Sequence, residues 1–396
     1  MKILFIAHSF PYPPNEGIKL MSYNLIKEFK NSGHEVILLS FIETGEIKYI
    51  PMLTPFCSKI ETVTHQIRQD IKSRIVNTLF QQTPFFVTQF FVPEFAGKLK
   101  ELAARHKPDV AHFDFIDTIM YIDYISGIPS LFFPHDAFSM YLHGNIAGES
   151  KILRKLYTYL QYRKTARYEK LMLPKFDGTA VVSPKDKEWL QGIAGDSADI
   201  SVIPNGVDCE YYAPAKNKEE FPSLIFRGIM DFLPNVDAAL YFAKEIFPMI
   251  KKEFPGIRFY IAGRNPVDEI KRLADKNIIV TGYVEDMRMA MAKAAINVCP
   301  MRIGSGIKNK ILESMAMEIP TVATAKACFG IDAQDDKNIC IADAPEQFAK
   351  KVCDLLKNSQ KRELIGKKAR ELVLNHYSWK QSAEKFINAY KKICIY

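Results

Sequence analysis

Residues 299–320 read CPMRIGSGIKNKILESMAMEIP, with two glycines between an apolar run and an apolar helical pattern. Residues 295–299 predict a strand that leads into this stretch, and residues 308–317 predict the helix that follows. Glycine lets a backbone approach a ligand closely, and the N–H groups of a first helical turn attract anions. The stretch therefore predicts a phosphate-binding turn between a strand and a helix.

Charged side chains accompany this turn. Lys308 and Lys310 stand at the start of the predicted helix, where a cation is unfavourable to the helix dipole and needs a compensating anion. Glu313 follows Lys310 by three residues, so both lie on nearly one face of the helix. A carboxylate in that position suits the paired hydroxyls of a sugar. The alternative is a glycine-rich connection that carries a Lys–Glu pair at the surface.

Two common phosphate-loop signatures are not met. In the dinucleotide fingerprint GxGxxG, Asn309 occupies the place of the third glycine. In a Walker A loop the second glycine is followed by Lys, whereas Gly306 is followed by Ile307. These two negatives exclude the two commonest classes of phosphate loop for this turn.

The chain as a whole has the pattern of a two-domain α/β protein. Its 396 residues are 48% hydrophobic and 25% charged, which suits two globular domains of about 200 residues each. Apolar strands alternate with amphipathic helices, and the pattern restarts after a link at residues 203–220. Such alternation predicts parallel sheets covered on both faces. We expect two facing doubly wound domains, with ligands in an interdomain cleft at the carboxyl ends of the strands.

The predicted elements follow from period and punctuation. In the first half, strands are predicted at 2–7, 35–41, 110–113, 129–133 and 178–182, and helices at 17–31, 67–80 and 93–105. In the second half, strands are predicted at 223–226, 257–262, 278–281, 295–299 and 321–324, and helices at 234–254, 266–275, 308–317, most of 345–377 and 379–393.

Composition and charge narrow the function classes. No apolar run approaches the roughly 20 residues that span a bilayer, and MKILFIAHSF fits a buried first strand better than a signal-peptide core. Seven cysteines without a CxxC pair argue against a disulfide framework or a zinc site, so we expect the reducing cytoplasm. The net charge of +8 favours phosphorylated small molecules or an acidic membrane face. No helix-turn-helix, zinc-finger or RNA-binding signature supports a nucleic-acid partner.

Several motifs together resemble one enzyme family. They are PYPPNEGIK at 11–19, GHEVILLS at 33–40, FPHD at 133–136, VVSPKD at 181–186, VIPNGVD at 202–208 and GSGIKNKILESMAMEIPTV at 304–322. With them, the chain resembles family-4 retaining glycosyltransferases of the GT-B fold over nearly its whole length. PNVDAALYF, VTGYVED and RIGSGIKNKILESMAM narrow the resemblance to sugar transferases of exopolysaccharide synthesis.

The resemblance implies roles for matched positions. Glu313 matches the second Glu of the family's Glu-x7-Glu motif, which holds the nucleotide ribose. Gly306 and Ile307 match the backbone turn that approaches the donor sugar and phosphates. Gly17 matches a flexible glycine near the donor phosphates and the reacting centre. His135 matches a histidine that contacts the donor sugar, although a buried structural histidine is the alternative.

The chain departs from the family pattern at the first Glu of that motif. Counting eight residues back from Glu313 gives Ser305. In many relatives this Glu binds donor-sugar hydroxyls, so the donor sugar is not implied by the resemblance. Ser305 stays among the candidates for donor binding.

A second departure concerns the cations that bind the diphosphate. In the family an Arg and a Lys follow the strand that opens the second domain, whereas no cation closely follows Gly228 in FRGIMDFLPNVD. We expect Arg302, with Lys308 or Lys310, to meet the diphosphate charge instead. His8, His112 and Asp114 also lie at predicted strand ends and are weaker site candidates than His135.

Residues 151–173 form a basic segment, with seven Lys or Arg against one Glu. A basic amphipathic helix can rest on an anionic membrane surface, where lipid-linked acceptors lie. The alternative is a domain helix with a solvated charged face and Tyr157, Leu160, Tyr168 and Leu171 in the core.

The resemblance implies transfer of a sugar, with retention, from a nucleotide sugar to a glycan or lipid-linked acceptor. No D-x-D occurs in the sequence, so we expect no metal and no cofactor beyond the donor substrate. It also implies an N-terminal acceptor-side domain of residues 1–203 plus a returning final helix at 378–396, and a nucleotide-sugar domain of residues 204–377. A nucleotide-sugar 2-epimerase of the same fold and a non-catalytic nucleotide-sugar-binding subunit are the alternatives.

Overall fold

The computed structural model describes residues 1–14, 17–65, 71–148, 151–215, 220–304 and 306–395. The chain divides into two compact units. Unit 1 comprises Met1–Pro204 and Ser382–Tyr396, and unit 2 comprises Asn205–Gln381. The predicted boundaries at residues 203/204 and 377/378 lie within four residues of these. The acceptor and donor roles given to the two domains stay predictions.

Unit 1 is built on a parallel sheet in which seven strands are described, in the order β3-β2-β1-β4-β5-β6-β7. The strands are β1 (Lys2–Ala7), β2 (Glu35–Ile42), β3 (Lys59–Thr64), β4 (Val110–Asp114), β5 (Ser130–His135), β6 (Gly178–Val181) and β7 (Ile200–Val202). Its helices are α1 (Gly17–Asn31), α2 (Ile71–Phe80), α3 (Phe85–Thr88), α4 (Pro93–His106), α5 (Phe138–Gly148), α6 (Ile152–Met172) and α7 (Pro184–Ala194). Short 3-10 helices lie at Thr44–Met52, Thr118–Tyr124, Leu173–Lys175 and Gly195–Ser197.

Unit 2 repeats this plan with six described parallel strands in the order β10-β9-β8-β11-β12-β13. The strands are β8 (Ser223–Arg227), β9 (Arg258–Ala262), β10 (Ile278–Gly282), β11 (Ile296–Cys299), β12 (Thr321–Ala323) and β13 (Cys340–Ile341). The helices are α8 (Leu233–Tyr241), α9 (Phe247–Glu253), α10 (Asp268–Lys271), α11 (Met287–Ala292), α12 (Asn309–Ala316), α13 (Pro345–Lys357) and α14 (Ser359–His376).

The central strands are apolar because helices cover both of their faces. In β1 every residue after Lys2 is buried, and β2 is buried from Val36 onward. Strands buried on both faces read as continuous apolar runs rather than alternating ones. Each unit has its own core, around Phe113 and Phe132 in unit 1 and around Phe226 and Phe242 in unit 2. The predicted α/β class with two Rossmann-like domains is confirmed.

Two of the differences between the predicted elements and the structure have a clear physical reason. The helix predicted at 234–254 is interrupted by a π-helical segment, Phe242–Ile246, between α8 and α9. Pro248 lies in the first turn of α9 and has no N–H to continue the ladder, so the backbone hydrogen bonds shift at this point. Strand β3 was not predicted, because it lies at the sheet edge and its sequence, KIETVT, has the charged residues typical of an edge strand.

The last helix, α15 (Trp379–Ile393), belongs to both units. Its first turn lies in unit 2, where Gly206 is needed because a Cβ there would lie 2.6 Å from backbone atoms of Trp379. From Ser382 onward it packs in unit 1, and the hydroxyl of Tyr390 lies 2.7 Å from Nδ1 of His112. The chain has two tryptophans, Trp189 in unit 1 and Trp379 in unit 2.

Candidate functional site

The strand order of unit 2 reverses between β8 and β11, which are neighbours in the sheet. In doubly wound sheets, ligands bind beyond the carboxyl ends of the strands at this switch point. Arg227 is the last residue of β8, and the chain leaves β11 through the glycine turn into α12. The residues singled out from the sequence in this turn therefore lie at the expected end of the sheet.

Glu313 is bound by a cation at this switch point. It lies one turn into α12, is 8% exposed, and forms an ion pair with Nη2 of Arg227. The Tyr212 side chain also hydrogen-bonds Glu313; burial raises the pKa of the Tyr212 phenol, and the Glu313 charge adds to the rise. Nε of Arg227 is buried and has no hydrogen-bond partner among the described residues. Arg227 thus keeps an unused hydrogen-bond donor beside the Glu313 carboxylate.

Arg227 was not predicted from the sequence. The family pattern places the cations after Gly228, and Arg227 stands one residue before that glycine, at the end of a strand. The sequence does contain a sign of this residue, because a single Arg ends the apolar run SLIF. A charged side chain at the carboxyl end of a buried parallel strand is in a position to contact a ligand.

Lys310 is the second cation of the group. Its ammonium donates a 2.6 Å hydrogen bond to Oδ1 of Asn235 and lies 4.6 Å from the ring centre of Phe226. Burial lowers the pKa of Lys310 to about 8, and the charges of Arg227 and Lys308 lower it further, while Cys299 and Glu313 oppose this shift. An anion bound here would restore the ordinary pKa of the lysine.

The Arg302 side chain contacts helix α8. Its guanidinium forms two hydrogen bonds with Asp237, at 3.1 and 2.6 Å, and lies 4.2 Å from the ring centre of Tyr241, so it is held against α8. Lys308 precedes α12, and its ammonium donates to the carbonyl of Gly306 at 3.0 Å. The structure thus brings Lys310, Arg227 and Glu313 together, while Arg302 has a carboxylate partner of its own. The predicted diphosphate role of Arg302 and Lys308 stays a prediction.

The glycine turn has the backbone that the sequence suggested. Gly304 and Gly306 have φ of 115° and 69°, a region that residues with a Cβ avoid. Ser305 between them lies outside the described residues. Ile307 is half-buried against the core of unit 2, which anchors the turn.

Two glycines allow close backbone packing beside Asn235, which accepts a hydrogen bond from Lys310. A Cβ at Gly228 would lie 2.6 Å from the Asn235 amide, which donates to the carbonyl of Ile229 while accepting from Lys310. A Cβ at Gly263 would lie 1.7 Å from the carbonyl oxygen of Gly228. Both glycines are therefore required for Asn235 to reach Lys310.

In unit 1, His135 is buried at the end of β5 with a φ of 69°. Nε2 lies 2.6 Å from Oδ1 of Asp114, and Nδ1 lies 3.3 Å from the sulfur of Met21. Ser22 donates a 2.5 Å hydrogen bond to the other oxygen of Asp114. Burial alone would raise the pKa of Asp114, but His135 and the other partners lower it below the usual value. Both ring nitrogens have protein partners, so a sugar contact through this side chain requires one of them to be displaced.

The remaining candidates of unit 1 have different surroundings. His112 is fully buried, stacks on Phe5 at 4.4 Å, and has a pKa lowered by burial to about 4, which is typical of a structural histidine. His8 follows β1, and its Nδ1 lies 2.6 Å from Oδ2 of Asp117. Gly17 opens α1 and is exposed, and a Cβ there would meet no described atom within 4 Å.

The predicted site residues thus fall into two groups. Glu313, Lys310, Lys308, Gly306 and Ile307 gather at the switch point of unit 2. In unit 1, His135 is the last residue of β5 and Gly17 is the first residue of α1. In the described part of the chain, no three His, Cys, Asp or Glu side chains lie close enough to hold a metal ion together. None of the helices that the structure describes is both long and apolar enough to cross a bilayer.

Two family models match the chain, one in each unit. The model described as Glycosyltransferase Family 4 matches residues 16–211, and the model described as Glycosyl transferases group 1 matches residues 222–358. A Klebsiella pneumoniae protein described as an uncharacterized 44.6 kDa protein in the cps region is 21% identical over 96% of this chain and 97% of its own. The phosphatidyl-myo-inositol mannosyltransferase of Mycobacterium tuberculosis is 24% identical over 56% of this chain and 61% of its own.

Solved structures share the fold over the whole chain. Sucrose-phosphate synthase from Thermosynechococcus elongatus has a TM-score of 0.72 at 14% identity and covers 99% of this chain and 98% of its own. Anabaena HepE, solved in complex with UDP, has a TM-score of 0.68 at 13% identity and covers 99% and 100%. At this identity the likeness establishes the fold.

Proposed function

The chain belongs to the family-4 glycosyltransferases of the GT-B fold, and we propose that it moves a sugar from a nucleotide-diphosphate sugar to a glycan or glycolipid acceptor. The relative from a cps region supports a place in cell-surface polysaccharide synthesis. The complexes of HepE with UDP and with UDP-glucose support a nucleotide-sugar donor.

The observation that carries this proposal is the group of Arg227, Lys310 and Glu313 at the switch point of unit 2. Glu313 offers a buried carboxylate for the two ribose hydroxyls of the nucleotide, and Arg227 holds it in place. Lys310 and the turn at Gly306 meet the diphosphate. As the bond between sugar and diphosphate breaks, negative charge grows on the leaving group, and fixed cations and helix N–H groups stabilise that charge without reorganisation.

We further propose that the transfer proceeds with retention and without a metal ion. Both follow from the resemblance, and the absence of D-x-D from the sequence supports the second. Proton NMR of the product gives the anomeric configuration directly, and inversion would refute retention. Turnover after dialysis against EDTA, compared with turnover after adding Mg²⁺ or Mn²⁺, tests the metal; a dependence on either ion would refute metal independence.

The decisive experiment combines binding with turnover. A thermal-shift panel of UDP, GDP and ADP sugars identifies the donor, because a ligand that prefers the native state raises the melting temperature. Hydrolysis of that donor is then measured for the wild type and for Glu313→Ala. A transferase hydrolyses its donor slowly without acceptor and loses this activity in the variant. A 2-epimerase would release a changed nucleotide sugar, and a binding-only subunit would show no hydrolysis in either form.

Contact with a membrane is proposed through α6. Its first turns expose Ile152 (81%), Leu153 (79%) and Leu156 beside basic residues. Toward its other end lies a groove of about 640 Å³. The described residues that line it include four cations and no carboxylate; they are Arg163, Lys164, Arg167 and Lys170, with Gln81, Gln82, Ala166, Gly192 and Ile193. An apolar tip beside a basic groove suits an anionic bilayer.

The core-facing side of α6 also differs from the prediction. Its buried residues are Gln161, Thr165, Glu169 and Met172. Tyr168 packs against the core of unit 1 as expected, whereas Leu171, also expected there, is 59% exposed. Flotation with phosphatidylglycerol vesicles and with neutral phosphatidylcholine vesicles tests the membrane proposal and a location at the inner face of the cytoplasmic membrane. Equal or absent binding to the two would refute it.

A further inference from the structure

A second polar group of unit 1 is not among the residues proposed for donor binding. His8 and Asp117 form a pair in which Nδ1 of the ring lies 2.6 Å from Oδ2 of the carboxylate. Asp117 is 1% exposed, whereas the His8 side chain is 20% exposed. The ring is held between Phe90 and Phe115, with ring centres 4.8 and 4.9 Å away. Asp117 thus fixes a histidine whose side chain remains partly exposed.

The pair lies where a doubly wound sheet binds ligands. His8 follows β1 and Asp117 follows β4, which are neighbours in the sheet with Ala7 opposite Asp114. The strand order of unit 1 reverses between these two strands, so the pair spans its switch point. Phe115, which packs on the ring, has a φ of 81°, a strained value for an aromatic residue. Such strain is concentrated at functional sites.

Unused hydrogen-bonding capacity surrounds the pair. Among the described residues, Oδ1 of Asp117 is buried without a hydrogen-bond partner, and so is Nε2 of His65, whose ring packs on Phe90. No hydrogen bond to Nε2 of His8 occurs in the described part of the chain. Because Asp117 holds Nδ1, Nε2 is the atom that remains for a ligand.

The charges indicate what kind of ligand fits. Burial would lower the pKa of His8, but Asp117 and then Asp114 raise it above the ordinary value, while Lys19 opposes them. Any positive charge on His8 would be balanced by Asp117, and Lys19 is paired with Glu46. With these charges paired, the position suits a neutral oxygen such as a sugar hydroxyl better than a phosphate.

We propose that His8 and Asp117 form the acceptor subsite, in which Nε2 of His8 hydrogen-bonds a hydroxyl of the acceptor saccharide and Asp117 holds the ring. This rests on the proposed transferase function, since that reaction needs a second saccharide. The nucleotide of the donor is proposed to bind in unit 2, so the two sites can be tested separately.

Binding is tested on the full chain labelled with ¹⁵N-histidine, in the presence of UDP. Methyl glycosides of glucose, galactose and mannose are titrated, and inorganic phosphate serves as the anionic comparison. We expect a saturable shift of the His8 signals with at least one glycoside and none with phosphate, while the signals of His34, at the amino end of β2, stay unchanged. A shift with phosphate alone, or no shift of His8 with any glycoside, would overturn the proposal.

Kinetics separate this role from a structural one. With the best glycoside, His8→Gln is expected to raise the KM for acceptor at least tenfold, while the KM for donor changes less than twofold. His34→Gln is the matched control. Equal changes in both KM values, or none, would overturn the acceptor subsite. If the wild type hydrolyses no donor, the transferase function fails instead, and a saturable shift at His8 would still establish a saccharide site.

Discussion

Binding of a nucleotide diphosphate should draw a proton onto Lys310. Its ammonium is buried against Phe226, and burial lowers its pKa to about 8. At about pH 8.5 roughly a quarter of the molecules carry the charge. A diphosphate in contact would return the pKa toward about 10.4, so nearly all would carry it. We therefore expect uptake of about 0.7 proton per UDP bound at this pH, falling to about 0.1 at pH 7.

Isothermal titration calorimetry measures this uptake. The binding enthalpy of UDP is determined at the same pH in two buffers with different ionisation enthalpies, and its slope against those enthalpies gives the protons taken up. The phosphates of UDP are already ionised at this pH, so they contribute little. Lys310→Met is the specific control and should abolish the uptake, whereas Arg302→Met should leave it unchanged because Arg302 is paired with Asp237. UDP binding without uptake in the wild type, or with equal uptake in Lys310→Met, would refute the placement of the diphosphate.

Three further outcomes follow from the packing. Arg227→Met leaves the Glu313 carboxylate buried without its cation, so the free energy of unfolding of unit 2 should fall by about 3–5 kcal/mol. Urea unfolding followed by the fluorescence of Trp379, in a chain without the other tryptophan, measures this loss. A loss below about 1 kcal/mol would contradict the ion pair. Burial raises the pKa of Glu169 to about 7, so its ionised form opposes folding, and wild-type stability falls as pH rises from about 4.5 to 7. Glu169→Gln should remove this fall. In denaturant melts, the free energy of unfolding of the variant relative to the wild type should be about 3 kcal/mol higher at about pH 8 than at about pH 4. Parallel pH profiles of the two proteins would refute this. A Cβ at position 17 would contact no described atom, so the free energy of unfolding of Gly17→Ala should stay within about 1 kcal/mol of the wild type. Donor turnover should fall at least tenfold, and full turnover would exclude a role for Gly17 at the donor.

The fold could be predicted because its signals are local. Strands such as Lys2–Ala7 and helices such as Gly17–Asn31 are set by short apolar runs, periodicity and flanking glycines, all of which are visible along the chain. The π-helical segment at Phe242–Ile246 was missed because a proline in a first helical turn normally marks the start of a new helix. The proline gives no sign that this helix continues directly from the preceding one. The edge strand Lys59–Thr64 was missed because few of its residues are buried.

The candidate site was only partly predictable because its partners are distant in sequence. Glu313 and Lys310 were found from their spacing within one helix. Arg227 was missed because it is 86 residues from Glu313, and only the sheet brings the ends of its strands together. Arg302 was predicted to meet the diphosphate because it stands beside the glycine turn. Its partner Asp237, 65 residues earlier, could not be identified without the fold.

The path of α15 has a consequence for synthesis on the ribosome. Ser382–Tyr396 complete unit 1, but they are made only after the whole of unit 2, Asn205–Gln381. At about 5–20 residues per second, the nascent unit 1 waits on the order of ten to thirty-five seconds for its last helix. During that time the face of the sheet that α15 covers, including His112, lacks the Tyr390 partner. Nascent chains halted before residue 382 should therefore bind holdase chaperones through this face and release them once Tyr390 has emerged.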